Sequence, residues 1–306
     1  MSNAQTTDAG EQVVAVLVGP TAAGKSALAL EAAQRSGMEI VNADAFCLYR
    51  RMDIGTAKPT PEDRARVPHH VIDTHDVSDA VDVAWYQQAA RAAVVEIWQR
   101  GRTPLLTGGS GLYVHGVLDD LQFPGTDADV RSRLEAELEQ LGPAELHRRL
   151  ESVDPAAASH ILATNGRRIV RALEVNEITG RSFVAVLGDV QPWCRSVRIG
   201  WDPGVDEVDR AIESRVDAMW DAGLVDEVLA IRPELEASRT ASRAVGYRQI
   251  LDVLAADQDP VLAKEPTVAA TRRLARKQRA WFRRDPKLRW AQSPSQVHEI
   301  LGRLEA

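Results

Sequence analysis

The chain has 306 residues, enough for one large domain or two smaller ones, and its 44% apolar and 26% charged content is that of an ordinary globular protein. Its net charge of −7 argues, as a bare sum, against a nucleic-acid partner, and Cys47 and Cys194 offer neither a disulfide framework nor a zinc spacing. No apolar run nears the ~18 residues of a membrane span, and MSNAQTTDAG lacks the basic start and apolar stretch of a secretion signal, so a cytoplasmic protein with a disordered tail at 1–10 is expected.

The first predicted element is VVAVLV, 13–18, a continuous β-branched run of the kind found in buried parallel strands. GPTAAGKS follows, then ALALEAAQRS at helical spacing with Gly37 as its stop. EIVNAD, 39–44, reads as a second strand and HHVID, 69–73, as another. The segment 82–100 is a helix with Asp82 as cap and Gly101 as stop, and TPLLT, 103–107, is a strand running into the glycine turn GGSG. Strand and helix in alternation predict a parallel α/β sheet. After Leu121 the strand signal fades, and helical stretches at 127–140, 143–151, 155–162 and 165–179 predict a helical insertion over 122–194. SVRIGWD, 196–202, resumes the sheet, and 205–284 reads as mostly helical. The expected fold is an α/β protein with a P-loop NTPase-like parallel-sheet core, 11–121 plus 195–306, interrupted by that insertion.

Gly19, Pro20, Thr21, Ala22, Ala23, Gly24, Lys25 and Ser26 match GxxxxGK[ST] between a strand and a helix. Backbone N–H groups of such a loop, with the helix N-terminus, cradle phosphate; Lys25 adds a point charge and Ser26 a hydroxyl able to ligate Mg²⁺. Asp44 ends the second strand and GGSG, with Ser110, follows another, so both should open onto the same rim as the P-loop. On these residues alone the reaction stays open: a kinase or NTPase would also place an acid there. His69, His70 and His75 fit no common zinc spacing.

The charge is unevenly spread. Residues 271–290 hold nine Lys/Arg and one acid, whereas acids gather in 127–154 and 202–236. On a helical wheel Arg272, Arg276, Arg279 and Arg283 form one stripe, with Leu274, Gln278, Trp281 and Phe282 opposite. The expectation is an apolar side docked on the core and an exposed basic ridge, lacking local acidic partners, that binds a phosphate backbone. Arg167, Arg168 and Arg171 form a second basic cluster, and Arg243 and Arg248 a third.

Together GPTAAGKS, NADxxxxYR, MDIGTAKP, PHHVID, GGSGLY, RRIVRALEV, GLVDEV, RAVGYRQ and TRRLARKQRAWFRRDP resemble the tRNA dimethylallyltransferase (tRNA isopentenyltransferase) family, in its order and from about residue 13 to 290. The resemblance implies transfer of a dimethylallyl group from dimethylallyl diphosphate to N6 of the adenosine 3′ of the anticodon, so that the P-loop holds a prenyl diphosphate and Mg²⁺, not ATP. It implies Asp44 as general base, Lys25 and Arg215 on the diphosphate, and Ser110 where the family more often has threonine. It also aligns Asp44, Ala45, Phe46 and Cys47, the 167–171 cluster, Arg243, Tyr247 and Arg248, and Arg272, Arg273, Arg276, Lys277 and Gln278 with tRNA-contacting segments, and the basic stripe favours a monomer on one tRNA. The adenine would have to leave its stack to reach the base.

The chain departs from the family's Ser-x-Gln-x-Tyr after the Asp. Ala45 and Cys47 stand where the Ser and Gln are usual, Tyr49 is kept, and Arg51 replaces a glycine before Met52. A thiol cannot make the paired adenine contacts of an amide, each pair worth ~1–3 kcal/mol of discrimination. Alternatives are thus an inactive tRNA-binding relative, an adenylate isopentenyltransferase acting on free nucleotide, and a P-loop small-molecule kinase.

Overall fold

The structure, a computed structural model, describes residues 12–183 and 191–304; the expected tail at 1–10 lies outside the described residues. Six strands, β1 (Val13–Val18), β2 (Glu39–Asn42), β3 (His69–His70), β4 (Pro104–Gly108), β5 (Arg195–Trp201) and β6 (Leu288–Ala291), form one parallel sheet in the order β3-β2-β4-β1-β5-β6. Five of the six fall on stretches read as strands in the sequence, β3 being shorter than the 69–73 expected. β6 does not: its LRWA is short and carries an exposed arginine, and it becomes a strand by pairing with β5. Asp285, just before it, is held by the buried Arg198 of β5 at 3.0 Å, which fixes the turn that delivers β6 to the edge.

Period-two alternation divides the sheet's side chains between two cores. Ala15, Leu17, Ile40, Leu105 and Ile199 face one way and pack with the helices Lys25–Arg35, Val205–Asp221 and Pro294–Gly302. Val14, Val16, Val18, Val41 and Leu106 face the other and pack with Val83–Gln99 and Gly111–Leu118. Both faces are covered, which is why β1 reads as an unbroken apolar run. A third cluster, around Tyr49, Met52, Leu224, Val228 and Tyr247, lies among the loop and helices that flank the strand ends.

Residues 119–192 separate as a compact unit of their own, with helices Ala128–Leu141, Pro143–Val153, Pro155–His160 and Gly166–Thr179. Leu134, Leu146, Leu150, Ile169 and Leu173 form its core. Asp127 and Asn165 cap two of these helices, accepting from Val130 N–H at 3.0 Å and Arg168 N–H at 3.3 Å. Arg171 was expected to contact RNA. Its guanidinium is instead spent inside this unit, donating to Glu174 at 2.8 Å and to the carbonyls of Pro124 and Gly125 at 2.6 and 3.2 Å. Arg167 and Arg168 remain exposed. Among the described residues no helix is long and apolar enough to cross a membrane.

Candidate active site

A parallel sheet brings every strand's carboxyl end to one rim, where α/β proteins bind their ligands. Here β1 delivers Gly19, β2 delivers Ala43 and Asp44, β4 delivers Gly109 and Ser110, and β5 delivers Asp202. Close packing ties two of these ends, those of β2 and β4, together. Ala43 N–H donates to the Thr107 carbonyl at 2.7 Å, and Ser110 N–H to the Ala43 carbonyl at 3.2 Å. A Cβ on Gly108 would lie 2.3 Å from the Ala43 carbonyl, so the crossing of β2 and β4 needs a glycine there.

The P-loop wraps the N-terminus of Lys25–Arg35. Gly24 takes the left-handed conformation (φ 80°) just before it, and Gly19 packs so tightly on Trp201 that a Cβ would meet its carbonyl oxygen at 2.0 Å. The Trp201 indole N–H donates to the Ala23 carbonyl at 2.7 Å, holding the loop's outer turn. Lys25 is buried, its ammonium donating to the Pro20 carbonyl. Burial pushes its pKa down to about 8, helped by the charge of Arg215 and opposed by those of Asp44 and Asp202. Arg215 projects from Val205–Asp221 with two long contacts, 3.4 Å to Thr21 Oγ1 and 3.5 Å to the Thr56 carbonyl, and has no ion pair among the described residues. Burial holds it below the usual arginine value. Two desolvated cations in no ion pair with a carboxylate among the described residues mark an anion site.

Asp44 is half-buried in a cavity of about 700 Å³ that Lys25, Ser26, Cys47, Arg215 and Gln278 also line. Asn42 shapes the turn: its Oδ1 accepts from Asp44 N–H at 2.9 Å, and its amide donates to the Asp44 and Val71 carbonyls at 2.9 and 3.0 Å. Asp44 Oδ1 accepts from Phe46 N–H at 2.9 Å, and Oδ2 has no hydrogen-bond partner among the described residues. The carboxylate is therefore oriented by one oxygen and open on the other. Ser110 Oγ accepts from Ala45 N–H at a long 3.4 Å. Cys47 is buried, and desolvation first, then the Asp44 charge, push its thiol well up. It lines the site as a neutral, inert group.

The MDIGTAKP loop closes one side, and sequence reasoning missed what holds it. Glu227, of Leu224–Ala230, accepts from three successive N–H groups, Asp53 at 2.9, Ile54 at 2.8 and Gly55 at 3.2 Å, and also from the Tyr247 hydroxyl. The buried Lys58 donates to Asp53 and Asp73 carboxylates at 2.5 and 2.7 Å and to the Tyr49 carbonyl at 2.7 Å. A Cβ on Gly55 would strike the Tyr247 ring at 2.4 Å. Tyr247, expected to bind RNA, is thus fully buried as a prop under this loop. Only its position in a recognisable motif singled it out; nothing in one sequence links it to Glu227, 20 residues away. Arg243 and Arg248, beside it, are exposed, Arg248 pairing with Asp252 at 2.8 Å. Arg51 adopts a positive φ (63°) and turns away to Glu234 at 2.9 Å.

The basic stripe of Lys264–Phe282 is not the free ridge expected. Its acidic partners come from Val205–Asp221 and the β5 end. Arg272 pairs with Glu213 at 2.5 Å and Arg276 with Asp209 at 3.2 Å, while Arg279 is buried in a bidentate pair with Asp202 at 2.5 and 2.8 Å. The acids that the sequence places in 202–236 are the other half of this contact. Arg276 stays exposed despite its pair, and the exposed cations without an ion pair among the described residues are Arg283 on the stripe and, a quarter-turn around, Arg273, Lys277 and Arg284, with Trp281 exposed on that second face. Gln278 points inward. Its Oε1 accepts from Thr21 N–H of the P-loop at 2.7 Å, and its Nε2 fills the space above Gly109, where a Cβ would lie 2.2 Å away.

A family model described as IPP transferase matches residues 47–285. Relatives named tRNA dimethylallyltransferase include those of Salinispora arenicola, 55% identical over 92% of this chain and 82% of that protein, and Thermobifida fusca, 54% identical over 90% and 89%. Among solved structures, the tRNA isopentenylpyrophosphate transferase of Bacillus halodurans superposes with a TM-score of 0.69, 34% identity and 96% of each chain covered. A eukaryotic dimethylallyltransferase acting on tRNA gives a TM-score of 0.72 over 89% of this chain and 70% of that one, at 22% identity, a likeness of fold.

Proposed function

The chain belongs to the tRNA dimethylallyltransferase (IPP transferase) family, and from that premise we propose how its own residues carry out prenyl transfer to tRNA. The observation that carries the reading is one cavity that sets a desolvated cation pair, Lys25 and Arg215, together with a carboxylate, Asp44, whose second oxygen is open. The first two suit a diphosphate leaving group, the third an attacking amine.

The diphosphate of dimethylallyl diphosphate sits on the P-loop N–H groups, Lys25 and Arg215. The adenosine N6 attacks C1 of the dimethylallyl group; the C1–O bond breaks and its electron pair goes to the departing diphosphate oxygen. Lys25 and Arg215 stabilise the charge gathering there. Asp44 takes the proton from N6 through the oxygen that Phe46 N–H leaves free. Residues present fit Mg²⁺: the Ser26 hydroxyl is exposed in the cavity with no hydrogen-bond partner among the described residues, and such an ion is typically bound by one or two protein oxygens plus substrate phosphates. When bound, it neutralises diphosphate charge. Cys47 and Cys194, neither of them in a disulfide, and tRNA as substrate support action in the cytoplasm.

The test is to incubate the protein with dimethylallyl diphosphate, Mg²⁺ and either unmodified tRNA or AMP, and to read prenylated adenosine by mass spectrometry. Product on tRNA and not on AMP is expected. Product on AMP alone would replace tRNA by free nucleotide, and RNA binding without any product would make Cys47 and Ala45 marks of an inactive relative.

A further inference from the structure

The helix Lys264–Phe282 carries a second, separate face that the pairing with Val205–Asp221 leaves uncovered. Arg273, Lys277 and Trp281 follow one another at four-residue spacing, within an arc of roughly 80°, and Arg284 lies just beyond the helix end. Arg273, Lys277 and Arg284 are exposed and make no ion pair among the described residues, unlike Arg272, Arg276 and Arg279 on the neighbouring stripe. At the C-terminal end of this face Trp281 is 45% exposed, a large aromatic surface to leave in water. Its orientation is fixed. The pyrrole edge stands on Gly111, where a Cβ would come within 2.1 Å of the indole nitrogen, and the His115 ring lies 6.3 Å away at 59°. Gly111 follows Ser110, whose hydroxyl holds Ala45 N–H beside Asp44, and Gln278, three residues before Trp281, lines the cavity itself. A rigidly seated aromatic ring, on one helix face with unpaired cations and adjoining the catalytic cavity, is the combination that single-stranded nucleic acid uses: phosphates to the cations, a base on the ring.

We infer that Trp281 is a positioning residue on which an unpaired base of the anticodon loop stacks while the neighbouring adenosine is turned out towards Asp44, with Arg273, Lys277 and Arg284 holding the adjoining phosphates. This deepens the proposed tRNA prenyl transfer and rests on it. Stacking supplies part of what unstacking the target adenosine costs, and it is tolerant of base identity because every base offers a π face.

The test uses the full chain as Trp281→Phe and Trp281→Leu, with an unmodified anticodon stem-loop RNA and, separately, dimethylallyl diphosphate with Mg²⁺. Leucine keeps apolar bulk over Gly111 but has no ring face; phenylalanine keeps the ring. Trp281→Leu should weaken stem-loop binding and raise the RNA KM by about 5- to 100-fold, with diphosphate affinity unchanged, and Trp281→Phe should recover most of the loss. If Trp281→Leu binds RNA as the unchanged protein does, or loses diphosphate affinity in equal measure, the stacking role is wrong while tRNA prenylation stands. If the unchanged protein itself neither binds nor prenylates the stem-loop, both fall.

Discussion

Lys25 offers the sharpest test of the site's electrostatics. It is a lysine buried beside Arg215, with its pKa brought down to about 8, and the only relief comes from Asp44 and Asp202. An incoming diphosphate adds negative charge next to it, so the bound-state pKa must rise and binding must take up a proton wherever the free lysine is partly neutral. The sign follows: affinity is full below about pH 8 and falls as pH climbs through it, until the bound-state pKa is reached. With a free pKa of about 8, roughly nine-tenths of the lysine is charged at pH 7 and roughly one-tenth at pH 9, a fall of about tenfold in affinity. Phosphate ester oxygens finish ionising near pH 6, so the ligand's own charge is steady over this range. Calorimetric titration with dimethylallyl diphosphate and Mg²⁺ at pH 7, 8 and 9, in buffers of different ionisation heat, gives both affinity and proton uptake. Lys25→Arg should flatten the profile, because a guanidinium does not titrate there. An affinity constant from pH 7 to 9 without proton uptake, or the same fall in Lys25→Arg, would refute the reasoning.

Asp44→Asn should cut prenyl transfer by at least about 100-fold and leave tRNA affinity within about twofold, since the base is lost and the shape kept; single-turnover product formation beside a binding titration separates the two. Glu227→Ala strips three backbone N–H groups and the Tyr247 hydroxyl of their acceptor. Amides of residues 53–55 should then exchange hydrogen faster, for a local loss of about 2 kcal/mol, and unchanged exchange would mean that Glu227 does not latch the loop. Arg279→Ala leaves the Asp202 carboxylate buried without its partner and should cost roughly 3–5 kcal/mol in urea unfolding, against less than about 0.5 for the exposed Arg273→Ala. Similar values for the two would contradict the assignment of one to the core and the other to the surface. Arg273→Ala should instead lower the salt dependence of RNA binding by about one unit of slope.

What the sequence determined by itself is what local chemistry determines. GPTAAGKS needs only its glycines' backbone freedom and the helix that follows, and VVAVLV and PLLTG need only to be apolar enough for a sheet covered on both faces. Parallel strands then force Gly19, Asp44 and Ser110 onto one rim without any further information. The tertiary structure decided which polar groups are spent and which are free. Arg279 reads as surface charge until Asp202, 77 residues away, is seen to bury it; that Gln278 meets Thr21, 257 residues away, and that Glu227 takes the Tyr247 hydroxyl are equally invisible in the sequence. A helical wheel gives the angle of a side chain but not what stands opposite. Three of the four arginines on the stripe that looked like the binding face are therefore held by acids, and the face with unpaired cations and Trp281 emerged only when Asp202 and the acidic helix Val205–Asp221 had claimed those three.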